Sequence, residues 1–162
     1  MRLINRKFVM LVAVLALSFA LTGCSSSSTS ILPATVDKDL GVVEITGTCT
    51  AEVVGDAVVV SVITNLKSDV IFKLSVTDEA GTVLDELQMT KMSEVDPVAE
   101  FTIQEDWPDV VYGFLVADPD DNDVAGITGT YGKNFSNITY EGMIYENKKN
   151  LIVFMSEPIA IR

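Results

Sequence analysis

The chain has 162 residues, a formal net charge of −12, no histidine and two cysteines. The missing imidazole excludes Ser-His and Cys-His nucleophile pairs and histidine-built zinc sites, and it removes the commonest general base. The acidic excess argues against nucleic acid, which is held by clustered Lys and Arg that release counterions.

Arg2, Arg6 and Lys7 give a basic start, and Phe8 to Leu21 follow as fourteen uncharged residues broken only by Ser18. That run matches the apolar part of a secretory signal and falls short of the roughly 18 to 20 residues a membrane-spanning helix needs. An uncleaved anchor helix is the alternative; the small residues Thr22-Gly23 favour cleavage. Leu21-Thr22-Gly23-Cys24 resembles the lipobox of bacterial lipoprotein signal peptides. The resemblance implies a cut before Cys24, diacylglycerol on its thiol and often a third acyl chain on its amine. Each buried methylene contributes about 0.8 kcal/mol, so two or more chains anchor stably where one does not. The expected location is the outer face of the cell membrane, or the outer membrane of a diderm source. Ser25 to Ser30 and then Ile31 to Asp39 read as a polar tether extended by Pro33, too short to build a core. The expected organisation is a signal peptide at 1–23, the lipidated Cys24 and tether at 24–41, and one folded domain at 42–162.

Of the 162 residues, 139 remain after position 23, enough for one domain with a real core. The signal removes three basic residues and no acidic one, so eight basic residues face 23 acidic ones and the net charge becomes −15. The eight are scattered, which leaves nucleic acid a poor partner, and anionic lipid heads repel such a surface. If Cys24 carries lipid, Cys49 stands alone. Between Gly47, Thr48 and Thr50 it reads as a small buried filler, with intermolecular pairing as the alternative if it is exposed.

From Val42 onward, short β-branched and aromatic runs alternate with Gly, Asp, Asn and Pro, and no stretch sustains an amphipathic helical period. Val42 to Thr46 is the first expected strand, and Thr48 to Val54 turns through Gly55-Asp56 into Ala57 to Thr64. Val58, Val59, Val60, Val62 and Ile63 make this strand apolar on both alternating sets, which predicts cover on both faces. In Val70 to Thr77, Val70, Phe72, Leu74 and Val76 alternate with Lys73, Ser75 and Thr77, which predicts one wet face. Asp78-Glu79-Ala80-Gly81 turns into Thr82 to Thr90, where Val83, Leu84, Leu87 and Met89 break period and predict a bulge near Asp85-Glu86. Further strands are expected at Ala99 to Ile103, Val110 to Ala117, Val124 to Thr130, Ile138 to Tyr145 and Leu151 to Ile161. Asn147-Lys148-Lys149-Asn150 turns the last pair, and Pro158 demotes the end of the final strand to an edge. The sum is an all-β chain, a β-sandwich of about seven to nine strands.

Tyr112, Phe114 and Val116 share a face after Trp107-Pro108-Asp109, so Tyr112 fits either a tyrosine corner or plain packing. Thr64-Asn65-Leu66 after the valine run, Leu74 to Gly81, Tyr112 to Val116 and Tyr131 to Phe135 resemble bacterial lipoproteins with an immunoglobulin-like or fibronectin-type-III-like domain behind a Ser-rich tether. The resemblance spans most of Val42 to Arg162. Lys67-Ser68-Asp69 departs from it, since similar domains often hold Pro-Asp-Gly there. It implies an immunoglobulin-like sandwich at the cell surface and no particular activity.

Asp118-Pro119-Asp120-Asp121-Asn122-Asp123 concentrates oxygen donors, with Asp118, Asp120 and Asn122 at the alternating spacing of calcium loops. The match then fails, because Asp123 and Gly129 stand where an EF-hand wants glycine and glutamate; a turn between strands explains the same composition. Paired carboxylates suffice for glycoside hydrolysis, and 23 acidic residues supply pairs by chance. Gly126, Gly129 and Gly132 read as turns or close contacts, since no Lys-Ser or Lys-Thr of a phosphate loop follows. The sequons at Asn134 and Asn137 imply an exposed polar loop. Trp107, Tyr131, Tyr140 and Tyr145 suit either a core or an aromatic platform. The expected function is a non-catalytic binding or structural module with a protein or saccharide partner, no cofactor beyond the lipid on Cys24, and no metal. A carboxylate-dependent hydrolase and a calcium-dependent adhesion or sensing module are the alternatives.

Overall fold

The computed structural model describes residues 40–140, 144–146 and 148–162. The segment expected to be a signal peptide, Cys24 and most of the expected tether lie outside them. Within them the chain is an all-β sandwich with one short helix. β1 (Val43–Glu44) leads into β2 (Gly47–Val54), β3 (Ala57–Thr64), β4 (Ile71–Thr77), β5 (Val83–Thr90), β6 (Val98–Thr102) and β7 (Val110–Ala117). After the helix α1 (Ala125–Tyr131) come β8 (Ile138–Thr139), β9 (Ile144–Glu146), β10 (Lys149–Met155) and β11 (Ile159–Ala160).

One sheet has the order β2-β3-β6 and the other β5-β4-β7-β10-β9, with β11 also on β7. β1 and β8 make a separate two-stranded parallel pair. Gly55, at φ +63°, supplies the turn that pairs Val54 with Ala57 in the first hairpin. In the second hairpin the Asp78 carboxylate accepts from the Thr82 N–H at 2.7 Å and Gly81 takes φ +81°. The bulge expected near Asp85-Glu86 falls at Leu84: Val76 pairs with Asp85 and Thr77 with Val83, so Leu84 is the extra residue and reaches the main core.

Alternation puts Val58, Val60 and Val62 of β3 against Phe72, Leu74 and Val76 of β4, Leu115 of β7 and Ile152 of β10. Each fully buried side chain of this kind contributes about 1.5–3 kcal/mol. Gly113 on β7 lets the sheets close, since a Cβ there would stand 3.0 Å from both γ-methyls of Val60. The final strand expected over Leu151 to Ile161 is broken into β10 and β11. Its register against β7 slips between Met155 and Ile159, and the Ser156 hydroxyl accepts from the Gly113 N–H at 2.9 Å in place of a backbone carbonyl.

Three expectations are corrected. Val124 to Thr130 is not a strand: Ile127 and Tyr131, four apart, both enter the core, and that spacing is met by the helix α1. Of β3 only the inner face is fully covered, and outward-facing Ile63 is 66 % exposed. The supposed wet face of β4 is dry, with Ser75 and Thr77 at 0 % exposure. They share the outer face of the large sheet with a second apolar cluster, made of Phe114 and Val116 of β7 and Leu151 and Val153 of β10. Tyr112 packs against this cluster, which is the packing alternative and not the corner.

Candidate functional site

The acidic hexapeptide lies at one end of the sandwich, where β7 has just ended. Pro119 to Asn122 wind into a single 3₁₀ turn, with Asp118 as its N-cap accepting from the Asp120 N–H at 2.9 Å. Asn122 is buried, and its side chain works as a strand substitute. Its Oδ1 accepts from the Ile71 N–H at 2.7 Å and its Nδ2 donates to the Ile71 carbonyl at 2.8 Å, fastening the turn to the start of β4. A second Nδ2 bond reaches the Asp118 carbonyl at 2.8 Å.

Asp118, Asp120 and Asn122 therefore do not converge on a common centre. Lys149, the first residue of β10, sends its ammonium to Asp118 Oδ1 and Oδ2 at 2.7 and 2.8 Å and to Asp120 Oδ2 at 2.8 Å. Burial opposes that charge, but the hydrogen bonds and fields of the two carboxylates outweigh it and hold the Lys149 pKa above the ordinary lysine value. The cation among these oxygens is thus the chain's own lysine. Among the described residues there is no group of three or more Cys, Asp or Glu side chains that could hold a metal.

Beside this bridge, α1 and the 3₁₀ turn Lys133–Phe135 frame an open depression of about 290 Å³ whose lining includes Asp120, Asp123, Thr128, Lys133, Asn134 and Phe135. Its wall is held by two aromatic anchors. Tyr131 and Phe135 are buried and meet edge to face, with centroids 5.7 Å apart and planes at 88°. The Tyr131 hydroxyl accepts from the Lys67 N–H at 2.6 Å, while the Lys67 ammonium donates to the Gly126 carbonyl at 2.8 Å and to Thr130 Oγ1 at 3.0 Å. Gly132 ends the helix at φ +74°, where a Cβ would run into the side chains of Ser136 and Asn137. Asn134 and Phe135 follow at φ +59° and +52°. Asn tolerates that region, but Phe seldom does, and the Phe135 carbonyl is pinned by the Asn150 amide at 2.8 Å. Carboxylates, an ammonium, an amide and a hydroxyl around a shallow opening can exchange hydrogen bonds with a polar ligand.

The remaining candidates disperse. Trp107 and Tyr131 are core residues at opposite ends and Tyr140 guards a sheet edge, so these three form no platform. The Tyr140 hydroxyl donates to the Leu151 carbonyl at 2.7 Å and accepts from the Val153 N–H at 2.8 Å. Burial, only partly offset by backbone hydrogen bonds from Val153 and Ile144, pushes its pKa to about 12. Cys49 is buried beneath Gly113, and burial, against a backbone hydrogen bond, lifts its thiol from 9.0 to about 12. Of the two sequons, Asn134 is exposed, but Asn137 and Ser136 are buried, which corrects the expectation of one exposed loop. Gly126 and Gly129 sit inside α1 with open space around them. Sequence reasoning missed Lys149, which it placed in a turn; its separation from Asp118 by 31 positions left no local signal. No family model matches the chain, and comparison with curated proteins and with solved structures likewise finds no similar protein.

Proposed function

We propose that this chain is a lipid-anchored extracytoplasmic lipoprotein whose sandwich is a non-catalytic binding or structural module, with the end carrying the depression as its contact surface. The observation that carries the non-catalytic reading is what the reactive side chains already do. The Cys49 thiol is buried with its pKa near 12, the Lys149 ammonium is bound to two carboxylates, and the Tyr131 and Tyr140 hydroxyls sit in backbone hydrogen bonds. A nucleophile or general acid needs a free atom facing a substrate. The immunoglobulin-like reading is supported by strand order. With β4, β5, β7 and β10 taken as strands C, C′, F and G and β2, β3 and β6 as A, B and E, the sheets read C′-C-F-G and A-B-E.

Anchorage and binding are tested in one set of cells expressing the full chain. Fatty-acid labelling is expected in the parent and lost in Cys24→Ala; label persisting in that variant overturns the anchor. A photo-crosslinking residue at Asn134 is expected to capture a protein or glycan, whereas the same residue at Asp56, in the exposed β2–β3 turn at the other end, is not. Equal capture at both positions overturns the assignment of the contact surface.

A further inference from the structure

A sheet edge presents a row of unpaired N–H and C=O groups, and chains blunt it with short strands, bulges, charges or proline. On the large sheet, β5 is bent by its bulge at Leu84 and carries Asp85 and Glu86, and the opposite edge strand β9 has three residues. On the small sheet, β6 has five residues and follows Pro97, and the Gln104 side chain donates to its Thr102 carbonyl at 2.9 Å. β2 has none of these devices. Its eight residues pair with β3 without a break, they include no proline or lysine, and Glu52 is their single charge. Hydrogen bonds near its start fix which groups face the free edge. The Thr46 carbonyl accepts from the Asn65 N–H at 3.1 Å, so Thr48, Thr50 and Glu52 turn their backbone groups toward β3 as well. Val43 and Ile45 donate the other way, to the carbonyls of Asn137 and Thr139 at 2.8 Å. Past Ile45 that side is open: among the described residues, no backbone partner meets Gly47, Cys49, Ala51 or Val53 along it.

This edge is complementary to itself. A two-fold axis at Thr50 sets Gly47 against Val53 of a second copy and Cys49 against its Ala51, so the open groups of both chains exchange hydrogen bonds pair by pair. Val53, 42 % exposed, then lies beside Gly47, where no side chain stands in its way. The Phe154 ring lies beneath that glycine, since a Cβ there would come within 2.7 Å of it, and gives the valine an apolar surface to cover. Charge selects the register. With the axis at Thr50, Glu52 faces Thr48 and the two Glu52 residues stand about 14 Å apart, beyond the Debye length of about 8 Å. An axis at Ala51 brings them to about 8 Å and leaves Gly47 without a strand partner, and an axis at Glu52 sets like charges directly opposite.

We propose that two copies of this chain join through β2, antiparallel and centred on Thr50, so that their three-stranded sheets become one continuous sheet. The interface is separate from the depression. It also leaves out Asp56, which is turned toward β6 and accepts at its carbonyl from the Ile103 N–H at 2.8 Å. Thr50 would meet its counterpart in a pair without hydrogen bonds, where antiparallel Cα atoms stand about 4.5 Å apart, a distance that a disulfide spans. The test uses cells expressing the full chain with Cys49→Ala, oxidised with copper phenanthroline and read on non-reducing gels; that chain without an added cysteine gives the background from Cys24. Thr50→Cys, at an exposed position that leaves the fold intact, is expected to give a disulfide-linked dimer that reduction abolishes. Ser61→Cys, on the same face but one strand further from the axis, is expected to stay at background. Thr48→Cys is expected to link to a co-expressed Glu52→Cys chain and not to itself. Thr50→Cys at background, Ser61→Cys linking as strongly as Thr50→Cys, or Thr48→Cys linking to itself would each overturn the proposal.

Discussion

The outer faces of the two sheets obey opposite rules. On the three-stranded sheet, Thr50, Ser61 and Val98 stand in one row across β2, β3 and β6, and Glu52, Val59 and Glu100 in the next. That face is wet, with two like charges tolerated on either side of Val59 because water screens them. On the large sheet the equivalent rows hold Ser75 beside Phe114 and Lys73 beside Val116, and they are largely dry. A β-branched residue is thus a poor guide to burial: Ile63 faces water while Ser75 does not. What decides is the tertiary surroundings of each face, which alternation within a strand does not encode.

The largest expected effect tests this contrast directly. Phe114→Ala removes a nearly fully buried ring and is expected to cost about 3 kcal/mol, in the range of buried Phe truncations. Ile63→Ala, on the wet face, is expected to change stability by less than about 0.5 kcal/mol. Urea denaturation of both variants gives the two numbers. Equal losses would mean that the faces are not different in kind.

Most strand positions were legible because alternation is local: β2, β3, β4, β5 and β7 lie within a residue or so of where the pattern puts them. Illegible parts have identifiable physical causes. α1 carries only Ile127 and Tyr131 as apolar anchors amid Gly and Thr, a composition that propensity assigns to strand or turn. The valine run of β3 suggested cover on both faces, and the polar alternation of β4 suggested water; both inferences failed because a face's cover is a tertiary property. At the candidate site the acidic turn was visible as a donor cluster, but its cation was not. Lys149 meets Asp118 and Asp120 only after β7 and β10 have paired.

A second, smaller effect contrasts the wet face with the space between the sheets, using neighbours on one strand. Thr48 and Thr50 point to water, while Cys49 points inward and burial pushes its thiol from 9.0 to about 12. Because the folded chain keeps this proton while the unfolded chain releases it, stability is fully present below pH 9 and falls as pH rises toward 12. Tyr140, raised from 10.0 to about 12, adds to the fall over the upper part of that window. Cys49→Ala is expected to flatten the loss between pH 9 and pH 10, where the tyrosine has not begun to contribute. Thermal melts at stepped pH give the slope, and an unchanged slope would show that the thiol is not shielded as its position implies.

The smallest effect concerns the two hydroxyls on the dry face and carries the sharpest sign. A hydroxyl buried without a partner has given up its bonds to water and received none in return, so removing it costs nothing and recovers part of that desolvation. Ser75→Ala and Thr77→Val, the latter nearly isosteric, are each expected to leave stability unchanged or to raise it by up to about 1 kcal/mol. The same exchange at Thr50, whose hydroxyl donates to the Ser61 carbonyl at 3.4 Å on the wet face, offers no such gain because water already satisfies it. If Ser75→Ala destabilises instead, the Ser75 hydroxyl has a hydrogen-bond partner in solution and the face is not dry at β4.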